Sequence, residues 1–422
     1  MAVYGASRDP KKLGHVLLEN VRNSDFRGTV IAVNPALGVP SLNQPCDLAL
    51  ISVPAQAVPA AIADAAGKRC KAAIVLSSGF GETGEKGRAV EAKLAQTARK
   101  AGMRLVGPNC MGVVSRLKNG WLNGSYFWDV AREPGGISLV SQSGAFGGMF
   151  FAEAARRNLG VARFLSVGNS ADVNETDVLE YLGQDQTTKV IGLFVEAFQD
   201  GRRFVKTARK VGTQKPIVVL KAGKGQAGAA AAASHTGSLA GRHGAARAAF
   251  ARAGIIEAED SESFFDALAL LAASKRPARR RIAVLTISGG PGVLASDAAE
   301  RGGFELPQPN AKTVARLRKL VPSFAATGNP IDLTPQCPPE HLPEAIAAVF
   351  DDPGYDGVVV INCGLDVTEF GEGVATAAAR TNKPVTAYVL QTPAIEAILK
   401  AAGIPVFGSP ERAVNAFVSV TP

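Results

Sequence analysis

The 422-residue chain carries 46 Lys and Arg against 37 Asp and Glu, a formal net charge of +9. With 46% hydrophobic and 20% charged residues it has the balance of a protein with real cores, which sets aside a disordered or fibrous one. Its length suits two to four domains. The basic surplus is scattered. Its densest cluster, Lys275 to Arg281 (KRPARRR), contains Pro277 and reads as a linker, so no nucleic-acid partner is expected. A surplus of this kind suits small molecules rich in phosphate. No apolar run is long enough for a bilayer and no charged segment with an apolar stretch opens the chain, so the expectation is a cytoplasmic protein with no membrane partner. Five widely separated cysteines, with no Cys or His pair at metal spacing, lead us to expect neither a disulfide framework nor a metal site.

In chain order, short apolar runs alternate with helical patterns. Ala2 to Tyr4 is a stub of strand, short as though the chain began a few residues late, and leads into Gly5-Ala6-Ser7-Arg8-Asp9-Pro10. A helix pattern runs from about Lys11 to Asn23. Strands follow at Val30 to Val33, Leu48 to Val53, Ala72 to Leu76 and Leu105-Val106. These runs lack polar alternation, as in a parallel sheet buried on both faces. Strand–helix repetition then predicts a doubly wound α/β domain, whose ligands sit beyond the carboxyl ends of the strands. The first loop lacks the GxGxxG fingerprint, and Asn34-Pro35 stand where an acidic ribose anchor would be expected, which argues against a nicotinamide enzyme.

A second unit begins after Pro134-Gly135-Gly136 with the strand Ile137 to Val140, the turn Ser141-Gln142-Ser143-Gly144, and a helix to about Asn158. Strand, small hydroxyl-and-glycine turn, helix is an anion cradle built from backbone N–H groups. The same segment departs from the GxSxG elbow of serine hydrolases. Val190 to Val195 delivers Glu196 at its carboxyl end, and Ile217 to Leu220 leads into KAGKGQAGAAAAASHTGSLAG, with His235 between Ser234 and Thr236. A third unit runs from the strand Ile282 to Ile287 through Ser288-Gly289-Gly290-Pro291-Gly292 into a helix to about Arg301, with later strands at Val358 to Ile361 and Val385 to Leu390. Two helix tips, one imidazole and one strand-end carboxylate suit a phosphoryl group carried on histidine. Each tip contributes about half a positive charge, and a carboxylate on the other ring nitrogen fixes the tautomer.

Taken together, GASRDPKKLG (5 to 14), SSGFGETG (77 to 84), GPNCMGV (107 to 113), SLVSQSGAFG (138 to 147), SVGNSADV (166 to 173), SHTGSLAG (234 to 241), SGGPGVLA (288 to 295) and GNPIDLT (328 to 334) resemble the ADP-forming acyl-CoA synthetases, relatives of succinyl-CoA synthetase, over essentially the whole length. The resemblance implies a Rossmann-like coenzyme-A-binding domain over 1–130, a flavodoxin-like phosphohistidine domain over 131–276, and a second flavodoxin-like ligase domain over 277–422. It implies that His235 is transiently phosphorylated and that Glu196 is its carboxylate partner. Ser141, Ser143 and Gly144, with Ser288, Gly289, Gly290 and Gly292, would hold the phosphate. Gly5, Ser7, Lys12, Pro35, Val53 and Glu82 would meet the nucleotide and pantetheine parts of coenzyme A, and Asn109 and Cys110 its thiol end. No stretch resembles the ATP-grasp module. The chain is therefore expected to act as an α-type subunit in a hetero-oligomer, with ATP or ADP and Mg2+ on a separate β-type subunit and an acyl-CoA or carboxylic acid as substrate. The competing expectation is a coenzyme-A-binding regulatory or scaffold subunit without turnover.

Overall fold

A computed structural model of the chain describes residues 1–130, 132–230, 243–274 and 276–421, and divides into two compact units, Met1–Glu257 and Ala258–Pro422. In the first unit, β1 (Ala2–Tyr4), β2 (Ile31–Val33), β3 (Leu48–Ile51), β4 (Ala72–Val75) and β5 (Arg104–Val106) form a parallel sheet in the order β2-β1-β3-β4-β5. Successive side chains of a strand point to opposite faces. Val3, Leu50 and Ile74 thus pack with Leu17, Leu18 and Val21 of the helix Leu13–Arg22, while Ala2, Tyr4, Ala49, Ile51 and Val75 serve the core on the other face. The unbroken apolar runs are explained by these two covered faces.

A second sheet of the same unit holds β6 (Gly112–Leu117), β7 (Gly120–Ser125), β8 (Pro134–Ser141), β9 (Val161–Ser166), β10 (Val190–Val195), β11 (Ile217–Lys221) and β12 (Ile256–Glu257), in the order β12-β11-β10-β8-β9-β6-β7. Its parallel part repeats the first sheet's arrangement. The addition is the antiparallel hairpin β6–β7, joined to β9 through β6. Sequence reading passes over this hairpin, because glycines and a serine interrupt its apolar pattern. Asn119-Gly120 at its turn is the signal that could have found it. In the second unit, β13 (Ile282–Thr286), β14 (Ile331–Asp332), β15 (Gly357–Cys363), β16 (Val385–Leu390) and β17 (Val406–Phe407) are ordered β14-β13-β15-β16-β17. All three sheets therefore share one topology: the second strand flanks the first on one side, and strands three to five continue on the other. The helix Ser261–Ala273 belongs to this second unit, where Asp266 receives two hydrogen bonds from Arg412 at 3.0 and 2.6 Å.

One expectation is corrected. Cys46 and Cys70 are joined as a disulfide, with Cα atoms 5.0 Å apart. Each precedes one of two adjacent parallel strands, β3 and β4, so their separation of 24 residues in sequence vanishes at the amino ends of the sheet. Cysteine spacing alone cannot report strand adjacency.

Within the first unit, the SVGNSADV stretch seams the two sheets. Asn169 N–H donates to Pro108 O (2.9 Å), Ala171 N–H to Gly107 O (3.0 Å) and Val173 N–H to Leu105 O (3.0 Å). Asp172, almost fully buried, accepts from Arg99 Nε (2.7 Å), Arg104 Nε (2.8 Å) and Leu105 N–H (2.9 Å). Burial alone would raise its carboxyl. The hydrogen bonds from Arg104, Leu105 and Arg99 outweigh that and hold it below the ordinary carboxylate range. A carboxyl held low in the folded state contributes stability that is present above its unfolded value near 4 and lost as pH falls through the folded one. Both arginines are more than half exposed, which screens the pair. Asp172→Asn is expected to cost about 1–3 kcal/mol at pH 7. In urea unfolding at a series of pH values, the gap between variant and wild type should close below about pH 4.

Candidate functional site

A 2-1-3-4-5 sheet places a crevice between the connections that leave its first and third strands, because those connections run to opposite faces. The first such crevice, beyond β1 and β3, is a cavity of about 980 Å³. Gly5, Ser7, Lys12, Pro35 and Val53, five of the residues expected to meet coenzyme A, line it. Gly5 has φ +81°, and a Cβ there would lie 2.2 Å from Ser52 O, so only glycine lets the first loop pass this close to the third strand. Asp64, which sequence reading does not single out, also lines the cavity, accepting from Tyr4 O–H and Leu42 N–H, both at 2.9 Å. Tyr126 OH and Ser52 Oγ share a 2.7 Å hydrogen bond in the wall, and burial pushes the Tyr126 phenol up to about 12.

The other three expected contacts lie elsewhere. Glu82 accepts from Gly79 N–H and from Asn169 Nδ2 (2.6 Å), which overcome its burial and keep its carboxyl below the ordinary value. Asn109, at φ +56°, reaches the same Asn169 through Nδ2 at 3.3 Å. Cys110 is packed in the core behind β1, where its thiol donates to Val75 O at 3.3 Å and burial pushes it up to about 12. Asn169 thus gathers two of the three at the seam between the sheets.

The second crevice lies beyond β8 and β10, and here the sequence-selected Ser141, Ser143, Gly144 and Glu196 come together. Ser141 O–H donates to Ser143 O (2.6 Å) and Ser143 N–H donates back to Ser141 Oγ (3.2 Å), folding the turn before the helix Gly144–Arg156. Ser143 caps that helix by accepting from Phe146 N–H at 3.3 Å. The remaining first-turn N–H groups make the tip a site for negative charge. Gln142 ties this turn to the neighbouring strand end. Its Oε1 accepts from Glu196 N–H (2.7 Å) and Ala197 N–H (3.1 Å), and its Nε2 donates to Ala197 O (2.7 Å) and Glu175 Oε2 (3.2 Å). Glu175 is fully buried, and burial raises its carboxyl. On the other side Lys221, buried at the end of β11, donates to Glu196 O at 2.6 Å. Burial pulls its ammonium down against the attraction of Glu196 and Glu257. Sequence reading misses Gln142, Glu175 and Lys221 as site residues. Their signal is positional: each stands at a strand end or at a helix start beside it. His235 lies outside the described residues.

The third crevice, beyond β13 and β15, repeats the turn. Thr286 O–H donates to Ser288 O (2.9 Å) and accepts from Ser288 N–H (2.8 Å), as Ser141 does with Ser143. Ser288 differs from Ser143 in spending its hydroxyl on β15, donating to Cys363 O (3.2 Å) and accepting from Cys363 N–H (2.9 Å). The helix Gly289–Arg301 therefore starts without a side-chain cap. Asp332 Oδ2 lies 2.8 Å from where a Cβ on Gly289 would be, so a larger residue there would have to displace that carboxylate. It also puts a carboxylate beside this tip.

Three doubly wound sheets of one topology, one of them with a nucleotide-sized crevice and two with matching hydroxyl-braced helix tips, define a class of α/β proteins that handle phosphate-bearing ligands. Comparison with known families makes the class specific. Residues 1–116 match the CoA binding domain, 134–271 the succinyl-CoA ligase like flavodoxin domain, and 282–399 the ligase-CoA domain. The chain is 39% identical over 429 residues to acetate–CoA ligase [ADP-forming] I of Archaeoglobus fulgidus, covering 99% of itself and 61% of that protein. It is 36% identical to acetate–CoA ligase [ADP-forming] I subunit alpha of Pyrococcus furiosus, covering 99% of itself and 94% of the subunit. The structure superposes on Ca. Korarchaeum cryptofilum dinucleotide forming acetyl-coenzyme A synthetase 1, solved with phosphate and ADP, with a TM-score of 0.91 at 33% identity over 99% of this chain and 94% of that one. The chain belongs to the family of ADP-forming acyl-CoA ligases related to succinyl-CoA ligase. The Archaeoglobus relative is longer by more than a third of its own length, whereas the Pyrococcus subunit is nearly coextensive with this chain.

Lys12 is an exposed cation on the rim of the first crevice. A charge-assisted contact to a phosphate contributes about 1.5–3 kcal/mol, so Lys12→Ala should weaken coenzyme A binding about tenfold. Calorimetric titration at two salt concentrations should show a shallower salt dependence in the variant.

Proposed function

We propose that this chain is the α-type subunit of an ADP-forming acid–CoA ligase that interconverts acyl-CoA, ADP and phosphate with acid, ATP and coenzyme A, using His235 as a transient phosphoryl carrier and Glu196 as its carboxylate partner. The observation that carries the reading is the second crevice. It ties Glu196, at a strand end, through Gln142 to a hydroxyl-braced helix tip, at the point of the sheet where ligands bind. Coenzyme A suits the first crevice, which Gly5, Ser7 and the exposed Lys12 line and whose volume suits a large ligand.

In this reading, phosphate attacks the thioester carbon of a bound acyl-CoA. The C–S bond breaks, coenzyme A leaves as the thiolate, and an acyl phosphate remains. An imidazole nitrogen of His235 then attacks phosphorus. The P–O bond to the acyl group breaks, the acid leaves as carboxylate, and phosphohistidine forms. ADP next takes the phosphoryl group and ATP leaves. The Ser141–Gly144 tip steadies the phosphoryl oxygens by N–H donation and helix dipole, and the Gly289–Gly292 tip is given the same task. Glu196 accepts the second ring N–H, raising nucleophilicity and stabilising the cation that forms on transfer. We assign residues 1–130, 131–276 and 277–422 to the coenzyme-A, phosphohistidine and ligase domains. The nucleotide and its Mg2+ belong to an ATP-grasp β-type partner in a cytoplasmic hetero-oligomer. Among the described residues no helix is long and apolar enough to cross a membrane. The names of the relatives, all ligases, favour turnover over a scaffold role.

Radiolabelled phosphate supplied with acetyl-CoA should put acid-labile label on the chain, and His235→Ala should abolish it while coenzyme A still binds. Glu196→Gln should slow labelling about 10²–10³-fold. Label that survives the histidine replacement would refute the assignment.

A further inference from the structure

The dipeptide Glu196–Ala197, where β10 ends, is held in an unusual way. All four of its backbone polar groups are bound by side chains. Gln142 Oε1 takes both N–H groups, at 2.7 and 3.1 Å, and Gln142 Nε2 donates to Ala197 O at 2.7 Å. Lys221 Nζ donates to Glu196 O at 2.6 Å. A strand end normally gives these groups to water or to the next loop. Here one carboxamide does the work of a neighbouring strand for two residues. The carboxamide is itself fixed, because its backbone N–H donates to Phe194 O (3.2 Å) and its Nε2 also reaches Glu175. Lys221 is 4% exposed, an arrangement that costs desolvation and is tolerated only where the ammonium has partners. It also donates to Ala222 O, so it links the ends of β10 and β11.

The geometry points to Gln142 and Lys221 as a clamp that sets the position of Glu196: they are positioning residues for the phosphoryl-transfer carboxylate, acting through its backbone rather than on the substrate. The inference rests on the reading of Glu196 given above. Its physical content is register. Gln142 is the residue between Ser141 and Ser143, so the clamp ties the helix tip that receives phosphoryl oxygens to the carboxylate that orients the imidazole. Each group is placed relative to the other by hydrogen bonds of fixed length. A misplacement of about 1 Å at such a site costs about 10²-fold in rate. Lys221 fixes the same dipeptide from the neighbouring strand, so the backbone that carries the carboxylate cannot swing away as a free strand end would.

The test is a double-mutant cycle on the full chain, read as the rate of label uptake from radiolabelled phosphate and acetyl-CoA. Gln142→Leu should slow labelling about 10–10²-fold, as should Lys221→Met, with the coenzyme A dissociation constant unchanged because the first crevice is untouched. In a Glu196→Gln background the same two substitutions should each cost less than about threefold, since the group they position is already lost. Equal slowing in both backgrounds, or none in either, overturns the clamp. His235→Ala separates the two levels: retained label there refutes the phosphohistidine reading, whereas lost label with additive Gln142 and Glu196 effects refutes the clamp alone. If Gln142→Leu fails to fold, Gln142→Glu keeps the acceptor and places a carboxylate against Glu175. It also removes the donor to Ala197 O, so it should slow labelling in the wild-type background and cost less than about threefold where Glu196 is already Gln. Equal slowing in the two backgrounds counts against the clamp.

Discussion

Each crevice of this protein exists because two parallel strands, side by side in a sheet, send their chains to opposite faces. The split leaves the two strand ends without a covering helix, and backbone groups there must find partners or ligands. In the first sheet the opening takes in the Gly5 loop and Val53. In the second it brings the Ser141–Gly144 turn beside Glu196, and in the third it brings Ser288 beside Cys363. The sites differ in how the gap is closed. An open cavity remains in the first, a glutamine carboxamide bridges the second, and a serine hydroxyl bridges the third.

This shared constraint gives the second and third sheets a common device. A hydroxyl three residues ahead of the helix start, Ser141 in one and Thr286 in the other, both donates to and accepts from the residue preceding the helix. The turn is thereby set before any ligand arrives, and the helix N–H groups need no rearrangement to meet an anion, which is the economy of a preorganised site. The two tips differ in what stands against their first helical residue, however. Asp332 Oδ2 lies against Gly289, whereas the Met111 side chain lies against Gly144. A negative charge already at a helix N-terminus offsets part of the dipole that a second anion would use.

The seam between the first two sheets shows that some motif stretches of the chain also hold its structure together. SVGNSADV builds much of this joint: its backbone pairs with Leu105, Gly107 and Pro108, Asp172 collects two arginines, and Asn169 collects Glu82 and Glu91. Glu82 and Asn109 are drawn to this seam instead of lining the first cavity, and Cys110 sits behind it in the core. Glu82 and Asn109 meet around Asn169, so a change at either is felt in the joint between the coenzyme-binding sheet and the sheet that bears Glu196.

The order of strands and turns was legible in the sequence, because a strand covered on both faces must be apolar throughout and its exit must carry small or polar residues. The sequence pattern marks Val190 to Val195 and Val385 to Leu390 to the residue, and the Ser141–Gly144 turn stands where it is expected, whereas the Ser288–Gly292 stretch enters its helix already at Gly289. Local pattern carries no information on what lies beside a strand end. The Cys46–Cys70 pairing, the hairpin that extends the second sheet, and the hold of Gln142 and Lys221 on the Glu196–Ala197 dipeptide all join residues 24 to 55 positions apart or strands not consecutive in the chain. Those meetings follow from strand order, which is settled by how three layers pack and not by any residue's own preference.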